Sequence, residues 1–240
     1  YPSSGNAKHA LYSDQHGFAT EGTVDRIALE APDFVASLGD LHLDSLGVIA
    51  DMRRRMRDLY SMSLNFHEKI LDQYPFESSV DDHDWFCNDG DKFGDYPDKD
   101  AAGLRQNVFK VCLEYRPMHD FPVENRLTGT ATSGSSGTTL ADSGKSFTAD
   151  TVHALATYGG AYFHNLTTDA YTMVAGITDS THLTLLDTGK VTVGDSYEIL
   201  NGLWRKFTCG SAEFFFLDLR SQRDVNNYRP GIDMMDGVLM

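Results

Sequence analysis

Three short clusters of Asp and His residues are the part of this sequence best suited to chemistry. The first contains Asp14 and His16, the second contains Gly39 and Asp40, and the third is the run Asp81-Asp82-His83-Asp84. Each cluster follows a short apolar run of the kind that forms a strand. Carboxylates and imidazoles are ligands for divalent cations, and one such cluster alone is an ordinary surface feature. Three in succession at strand ends predict a metal site built on the edge of one sheet.

The spacing within each cluster suggests separate roles. Asp14 and His16 are two positions apart, so both can face the same ion from an extended strand end. Asp40 follows Gly39, whose conformational freedom allows the backbone to turn sharply, and it is the candidate ligand that bridges two ions. Asp82 and His83 are expected to face the second ion and the substrate. A two-ion site needs one such bridging ligand.

The elements before residue 125 alternate between strand and helix patterns. The proline at position 32 is expected to end the first helix, and the residues from 49 to 74 predict one long helix or two shorter ones. The predicted order is strand Ala10–Ser13, helix Thr23–Leu29, strand Phe34–Leu38, helix Ile49–Tyr74 and strand Phe76–Val80. This order is typical of a parallel sheet, whose ligands gather beyond the carboxyl ends of the strands.

The composition changes from Leu127 to about Leu200, where Thr, Gly, Ser and Asp dominate. Thr128 to Thr139 is predicted to be a flexible connector. Short alternating runs separated by turn formers then predict a small antiparallel β module. The predicted strands are Ala161–Leu166, Tyr171–Ala175, His182–Leu186 and Ser196–Leu200.

The last part of the chain returns to the character of the first. Trp204–Phe207 is predicted to be an edge strand and Glu213–Leu219 a fully buried strand. We therefore expect one α/β domain, formed by residues 1–126 and 202–240, that is interrupted by an all-β insertion at residues 127–201. Two independent domains in series are the alternative, but they leave the strand at Phe214 without an obvious sheet.

Composition excludes some classes of partner. The formal charge of −15 at pH 7 argues against non-specific nucleic-acid binding, which needs a positive surface. No apolar run approaches the roughly 20 residues of a membrane span, and no signal leader is recognisable. The three cysteines are too few and too irregularly spaced for a disulfide framework, and they do not decide the redox compartment.

The clusters together resemble the calcineurin-like metallophosphoesterases, in which Asp-x-His, Gly-Asp and an Asn/Asp-His pair follow successive strands. The run Asp81-Asp82-His83-Asp84-Trp85 with Asn88-Asp89 looks more specifically like the PhoD-type alkaline phosphatases. Phe215-Phe216-Leu217-Asp218-Leu219-Arg220-Ser221-Gln222-Arg223 is similar to that family's strand followed by Asp-x-Arg-Ser-x-Arg. The resemblance covers roughly residues 10–125 and 202–240, and the insertion lies outside it.

This resemblance implies a four-layer α/β/β/α sandwich that hydrolyses phosphoesters at two divalent metal ions. Asp14, His16, Asp40 and Asp82 would hold the metals. His83 would stabilise the transition state or protonate the leaving oxygen, and Asn88 would hydrogen-bond the phosphoryl group. Arg220 and Arg223 are candidate phosphate clamps, although ion pairs with Asp218 and Asp224 are an equally good interpretation.

Two differences from the family keep alternatives open. The family commonly has a cysteine in the first motif and a tyrosine shortly after Gly-Asp, where this chain has Asp14 and Leu43, so calcium, iron, zinc and manganese all stay candidates. Its last metal-binding histidines follow the Asp-x-Arg-Ser strand, and this sequence has no histidine after Arg223. We therefore expect one of three situations. The chain is a fragment, or a partner chain or self-assembly completes the site, or the scaffold is kept without catalysis.

Two functions from different classes follow. The first is an exported phosphoester hydrolase, extracellular or periplasmic. The second is a non-catalytic structural or adhesive protein, such as a phage tail or extracellular filament component, that keeps the phosphatase scaffold and displays the insertion. The Asp/His motifs favour the first, and the Thr/Ser/Gly-rich module favours the second.

Overall fold

The computed structural model describes residues 21–37, 49–61, 67–80, 101–115, 125–154, 160–209 and 211–218. These residues combine helices with strands, and their largest sheet is antiparallel and curled. This agrees with a mixed α/β fold, whereas the four-layer sandwich and the domain boundaries stay predictions. The helices are α1 (Glu21–Leu29), α2 (Ile49–Ser61) and α3 (Ala101–Tyr115), with one turn of π-helix at His67–Leu71.

Helix α1 ends where the sequence predicted. The backbone NH of Ala31 bonds to Ala28 O at 3.2 Å, and Ala31 has a φ of 42°, a left-handed conformation that commonly closes a helix. Pro32 follows and prevents continuation. The chain can then turn directly into the first strand.

That strand and the next form a parallel pair, as predicted. Strand β1 (Val35–Ser37) lies beside β2 (Phe76–Ser78), and their ends coincide because Val35 pairs with Phe76 and Ser37 with Ser78. The helical segment predicted between them is present in the described residues as α2 and the π-helical turn.

Helices α2 and α3 pack against each other through an apolar contact. Met52 and Met56, one turn apart on α2, are fully buried, and burying each side chain contributes about 1.5–3 kcal/mol. Helix α3 was not predicted from the sequence. It adds Phe109 to the same core, whose other buried members are Ile27, Val35, Ile70, Phe76, Val80, Val108, Val111, Cys112, Tyr162, Met173, Leu200 and Leu203.

Six antiparallel strands form the largest sheet, in the order β3-β8-β5-β6-β7-β4. The four predicted strands of the insertion are all confirmed, and two further strands, at Arg126–Thr130 and Thr139–Ala141, were missed. The strands are β3 (Arg126–Thr130), β4 (Thr139–Ala141), β5 (Tyr162–Asn165), β6 (Tyr171–Asp179), β7 (His182–Leu185) and β8 (Ser196–Leu200).

The sheet curls until its two edge strands approach each other. Register shifts between β6 and β7 bend it, and Thr132 NH, just after β3, bonds to Ala141 O of β4 at 2.7 Å. The prediction of a flexible connector at Thr128–Thr139 was therefore wrong. Its small polar residues form a strand end and tight turns, in which Gly134 and Gly137 have positive φ.

Each face of this sheet contributes residues to a hydrophobic core. In β5, Tyr162 joins the core shared with α3, while its neighbour Phe163 points to the opposite face, as the alternation of strand side chains requires. The opposite face encloses a second core of Ala131, Leu140, Phe147, Val152, Ala161, Phe163, Val174, Leu183, Leu185, Val191, Tyr197 and Ile199. The β region thus shares one core with the helices and has another of its own.

After the sheet, the chain forms a two-stranded antiparallel hairpin of β9 (Arg205–Cys209) and β10 (Ala212–Phe216). The prediction of a fully buried strand at Glu213–Leu219 was wrong. Phe215 is 66% exposed and Leu217 is 57% exposed, because β10 pairs with β9 alone among the described residues and buries only one face. Across the described ranges, none of the helices has the length and apolar character to cross a bilayer.

Candidate metal centre and the elements that lead to it

The residues predicted to form the site lie outside the described ranges, so their roles stay predictions. They are Asp14, His16, Asp40, Asp82, His83, Asn88, Arg220 and Arg223. The structure does describe the elements that come immediately before three of these stretches. Strand β1 precedes the second cluster, β2 precedes the third, and β10 precedes the Asp-x-Arg-Ser stretch.

Strands β1 and β2 end at one edge, and two of the predicted clusters follow them in the sequence. They run parallel, and their last residues, Ser37 and Ser78, are register partners. Two residues separate Ser37 from Asp40, and three separate Ser78 from Asp82. Both strands therefore end side by side just before the residues predicted to bind metal.

A buried arginine from the hairpin holds the end of β2. Arg205 is 2% exposed, and its Nε and Nη2 donate to Glu77 Oε2 at 3.3 and 3.0 Å. Nη2 also donates a short hydrogen bond to Ser78 O. The guanidinium lies 4.4 Å from the centre of the Phe216 ring, a cation–π contact. The contact between Arg205 and Glu77 joins residues that are 128 positions apart in the sequence.

Aromatic contacts attach the same hairpin to β1. The Phe34 ring, directly before β1, lies 4.7 Å from Phe214 and 5.1 Å from Phe207, in edge-to-face geometry. Asp218, the first residue of the Asp-x-Arg-Ser stretch, accepts a hydrogen bond from Leu203 NH at 2.6 Å. The hairpin thus contacts β2 and the residue directly before β1.

A second polar cluster, which sequence reasoning missed, lies between α3 and the curled sheet. His164 Nδ1 is 3.1 Å from Glu198 Oε1, and His164 Nε2 is 2.7 Å from Asp169 Oδ1. Lys110 of α3 donates to Asp169 and lies 3.3 Å from His164 Nε2. Arg126 Nε donates to Glu198 at 2.9 Å. We call these five residues the His164 network.

Electrostatics favour the charged forms of His164, Glu198 and Asp169 in the His164 network. The hydrogen bond with Glu198 raises the pKa of His164, and Asp169 adds to this, although burial and the Lys110 charge oppose it. Burial disfavours ionised Glu198, but hydrogen bonds and charge from His164 and Arg126 lower its pKa overall. Hydrogen bonds from Lys110 and His164 lower the pKa of Asp169. Protonated His164 can donate to both carboxylates at once.

The His164 network is an ion-pair cluster that already contains its cations. Lys110 donates to Asp169 and Arg126 donates to Glu198, so each carboxylate already has a cationic partner. Within the described ranges, no group of three or more His, Cys, Asp or Glu side chains is arranged to hold a metal ion. The sequence signal for this network was weak, because His164 and Glu198 become neighbours only through the pairing of β5 with β8.

Comparisons with protein-family models, with curated proteins and with solved structures give no match for this chain.

Proposed function

We propose that this chain is a metal-dependent phosphoester hydrolase of the PhoD-like alkaline phosphatase type. The observation that best supports the proposal is the parallel, in-register ending of β1 and β2, each followed within a few residues by a predicted cluster. Parallel strands of α/β proteins present their ligands at this edge. The proposal includes an extracellular or periplasmic location.

Chain geometry limits how far the predicted ligands can lie from this edge. A residue spans at most about 3.6 Å along the chain, so Asp40 lies within about 11 Å of Ser37 and Asp82 within about 14 Å of Ser78. Neighbouring strands are only about 4.8 Å apart. The two clusters can therefore reach a common site without any rearrangement of the strands.

The donor set fits two divalent ions. The predicted ligands are the carboxylate oxygens of Asp14, Asp40 and Asp82 and the imidazole of His16. Calcium, iron, zinc and manganese accept such ligands to different degrees. When bound, two such ions neutralise phosphoryl charge and lower the pKa of a bound water that attacks phosphorus.

The other predicted residues act on the substrate directly. His83 protonates the leaving oxygen or stabilises the developing charge, a role suited to an imidazole near neutral pH. Asn88 donates its amide hydrogens to a phosphoryl oxygen. Arg220 and Arg223 hold the phosphate through the fork of the guanidinium group.

Turnover of p-nitrophenyl phosphate and bis(p-nitrophenyl) phosphate tests the proposal. The unmodified chain is measured with EDTA and with added Mn²⁺, Ca²⁺ or Zn²⁺. We expect metal-dependent hydrolysis that Asp40→Asn abolishes and that His83→Gln lowers by roughly 10²–10⁴-fold. Asp150→Asn, at an exposed position, and His182→Gln are the matched controls and keep the unmodified rate. No metal-dependent turnover, or equal rates for Asp40→Asn and Asp150→Asn, would contradict the proposal.

A second candidate is a non-catalytic structural or adhesive protein, extracellular or virion-associated. The curled six-stranded sheet favours it, since this sheet has its own enclosed core and lies outside the pattern of the phosphatase family. A chain that binds no divalent metal and hydrolyses neither ester would favour this candidate over the enzyme.

A further inference from the structure

Strand β2 leads into the Asp81–Asp84 run. Among the described side chains, Arg205 is the one buried arginine whose guanidinium bonds to this strand. Its side chain is 1% exposed, and that of its partner Glu77 is 12% exposed. An ion pair so deeply buried is expensive to assemble, and hydrophobic residues of similar size commonly replace such pairs without loss of stability. Its presence at this place therefore calls for a role beyond holding the fold together.

The geometry of the contact suggests that role. Arg205 bonds both the Glu77 carboxylate and the backbone carbonyl of Ser78, the last residue of β2. It thus fixes the strand end in position and in rotation. The fork of a guanidinium can do this because its donors are rigidly planar, and stacking on Phe216 fixes the plane of the fork. Four residues after Ser78 the chain reaches Asp82.

We propose that Arg205 is a positioning residue for the metal centre. It acts through Glu77 and Ser78 on the segment that carries Asp82 and His83, and it makes the geometry of the metal ligands depend on the hairpin β9–β10. This inference rests on the proposed function. Supporting groups that orient metal ligands commonly change metal affinity by roughly 10–100-fold when altered.

Two substitutions isolate this role. Arg205→Lys keeps the positive charge and loses the planar fork, whereas Glu77→Gln keeps an acceptor of the same shape and loses the charge that pairs with Arg205. Arg126→Lys is the matched control, because Arg126 also bonds a glutamate but lies in the curled sheet. Each full-length variant is titrated with Mn²⁺ by electron paramagnetic resonance, and peptides covering residues 76–80 are followed by amide hydrogen exchange.

We expect Arg205→Lys and Glu77→Gln each to weaken Mn²⁺ binding about tenfold and to speed exchange in residues 76–80. The double variant should bind Mn²⁺ no more weakly than whichever single variant has the lower affinity. Both changes break the same contact, that between Arg205 and Glu77. Arg126→Lys should change neither measurement. If either single variant fails to fold, the other still decides the question.

The outcomes separate this inference from the proposed function. If Arg205→Lys and Glu77→Gln bind Mn²⁺ as tightly as Arg126→Lys does, the positioning role is overturned. The proposed hydrolase function would then still stand. An unmodified chain that binds no Mn²⁺ would overturn both. A double variant whose losses multiply would show that Arg205 does not act through Glu77, and would also overturn the inference.

Discussion

Replacing Gly129 with alanine tests the curled architecture of the β sheet. A Cβ added at Gly129 would lie 2.3 Å from Asp142 Oδ2 and 2.4 Å from the Tyr197 hydroxyl oxygen. Those two groups form a buried hydrogen bond of 2.7 Å, with Tyr197 0% and Asp142 4% exposed. Tyr197 faces Gly129 as its register partner on β8, whereas Asp142 faces it because the sheet curls and brings the segment after β4 against β3.

The magnitude follows from these contacts. The new methyl group must displace the hydroxyl, the carboxylate or the backbone of β3. Overpacking a dense site costs about 1–3 kcal/mol, and losing a hydrogen bond to a charged group costs about 1.5–3 kcal/mol. The smaller entropy of an unfolded alanine offsets up to about 1 kcal/mol. We expect Gly129→Ala to lower the free energy of unfolding by about 3 kcal/mol.

Urea denaturation followed by far-ultraviolet circular dichroism measures this change. Gly176→Ala in β6 is the control, since a Cβ there meets Thr184 Cβ at 3.7 Å, an ordinary contact, and its effect should stay within about 1 kcal/mol. Equal unfolding midpoints for the two variants would refute the packing that we describe between β3 and the segment after β4.

Two further predictions concern the contact between α3 and the sheet. His164 has a raised pKa, so its stabilising contribution is complete below its unfolded pKa of about 6.5 and is lost as pH rises through the folded value. The stability difference between the unmodified protein and His164→Gln should therefore shrink from pH 5.5 to 9 in urea titrations, and a constant or growing difference would contradict this. Tyr162→Phe should leave stability unchanged or raise it by up to about 1 kcal/mol. The reason is that the buried Tyr162 hydroxyl has no hydrogen-bond partner among the described residues, while its ring stacks on Phe109; a clear loss in the urea midpoint would contradict this.

Four of the six strands in the large sheet could be predicted because each carries its own local signal. Tyr171–Ala175 and His182–Leu186 alternate and are bounded by turn formers, and both are strands in the structure. The parallel pair β1–β2 was also predictable, since helices separate two short apolar runs. Local patterns decide these elements, and tertiary contacts only refine their ends.

Other elements depend on contacts that no local pattern contains. Strand β3 lies partly in the stretch predicted as a flexible connector, because Gly129 is a poor strand former and the residues after it are rich in Gly, Ser and Thr. It nevertheless pairs with β8 over its full length. The apolar run Phe214–Phe216 predicted a buried strand, but its exposure depends on how many strands pair with it. Helix α3 was missed, although Val108, Val111 and Cys112 recur at helical spacing and are buried.

The site shows the same division between local and long-range information. The Asp and His clusters can be recognised from residue type and spacing alone. Arg205 could not be, since an arginine in a predicted edge strand gives no sign of a partner 128 positions earlier. The His164 network likewise exists only once β5 and β8 have paired.

Equilibrium dialysis against Mn²⁺ tests the central claim most directly. The account predicts two Mn²⁺ ions per unmodified chain, a loss of binding in Asp40→Asn because the bridging ligand is removed, and full binding in Asp150→Asn. An unmodified chain that binds no Mn²⁺, or an Asp40→Asn variant that binds as many ions as the unmodified chain, would contradict it.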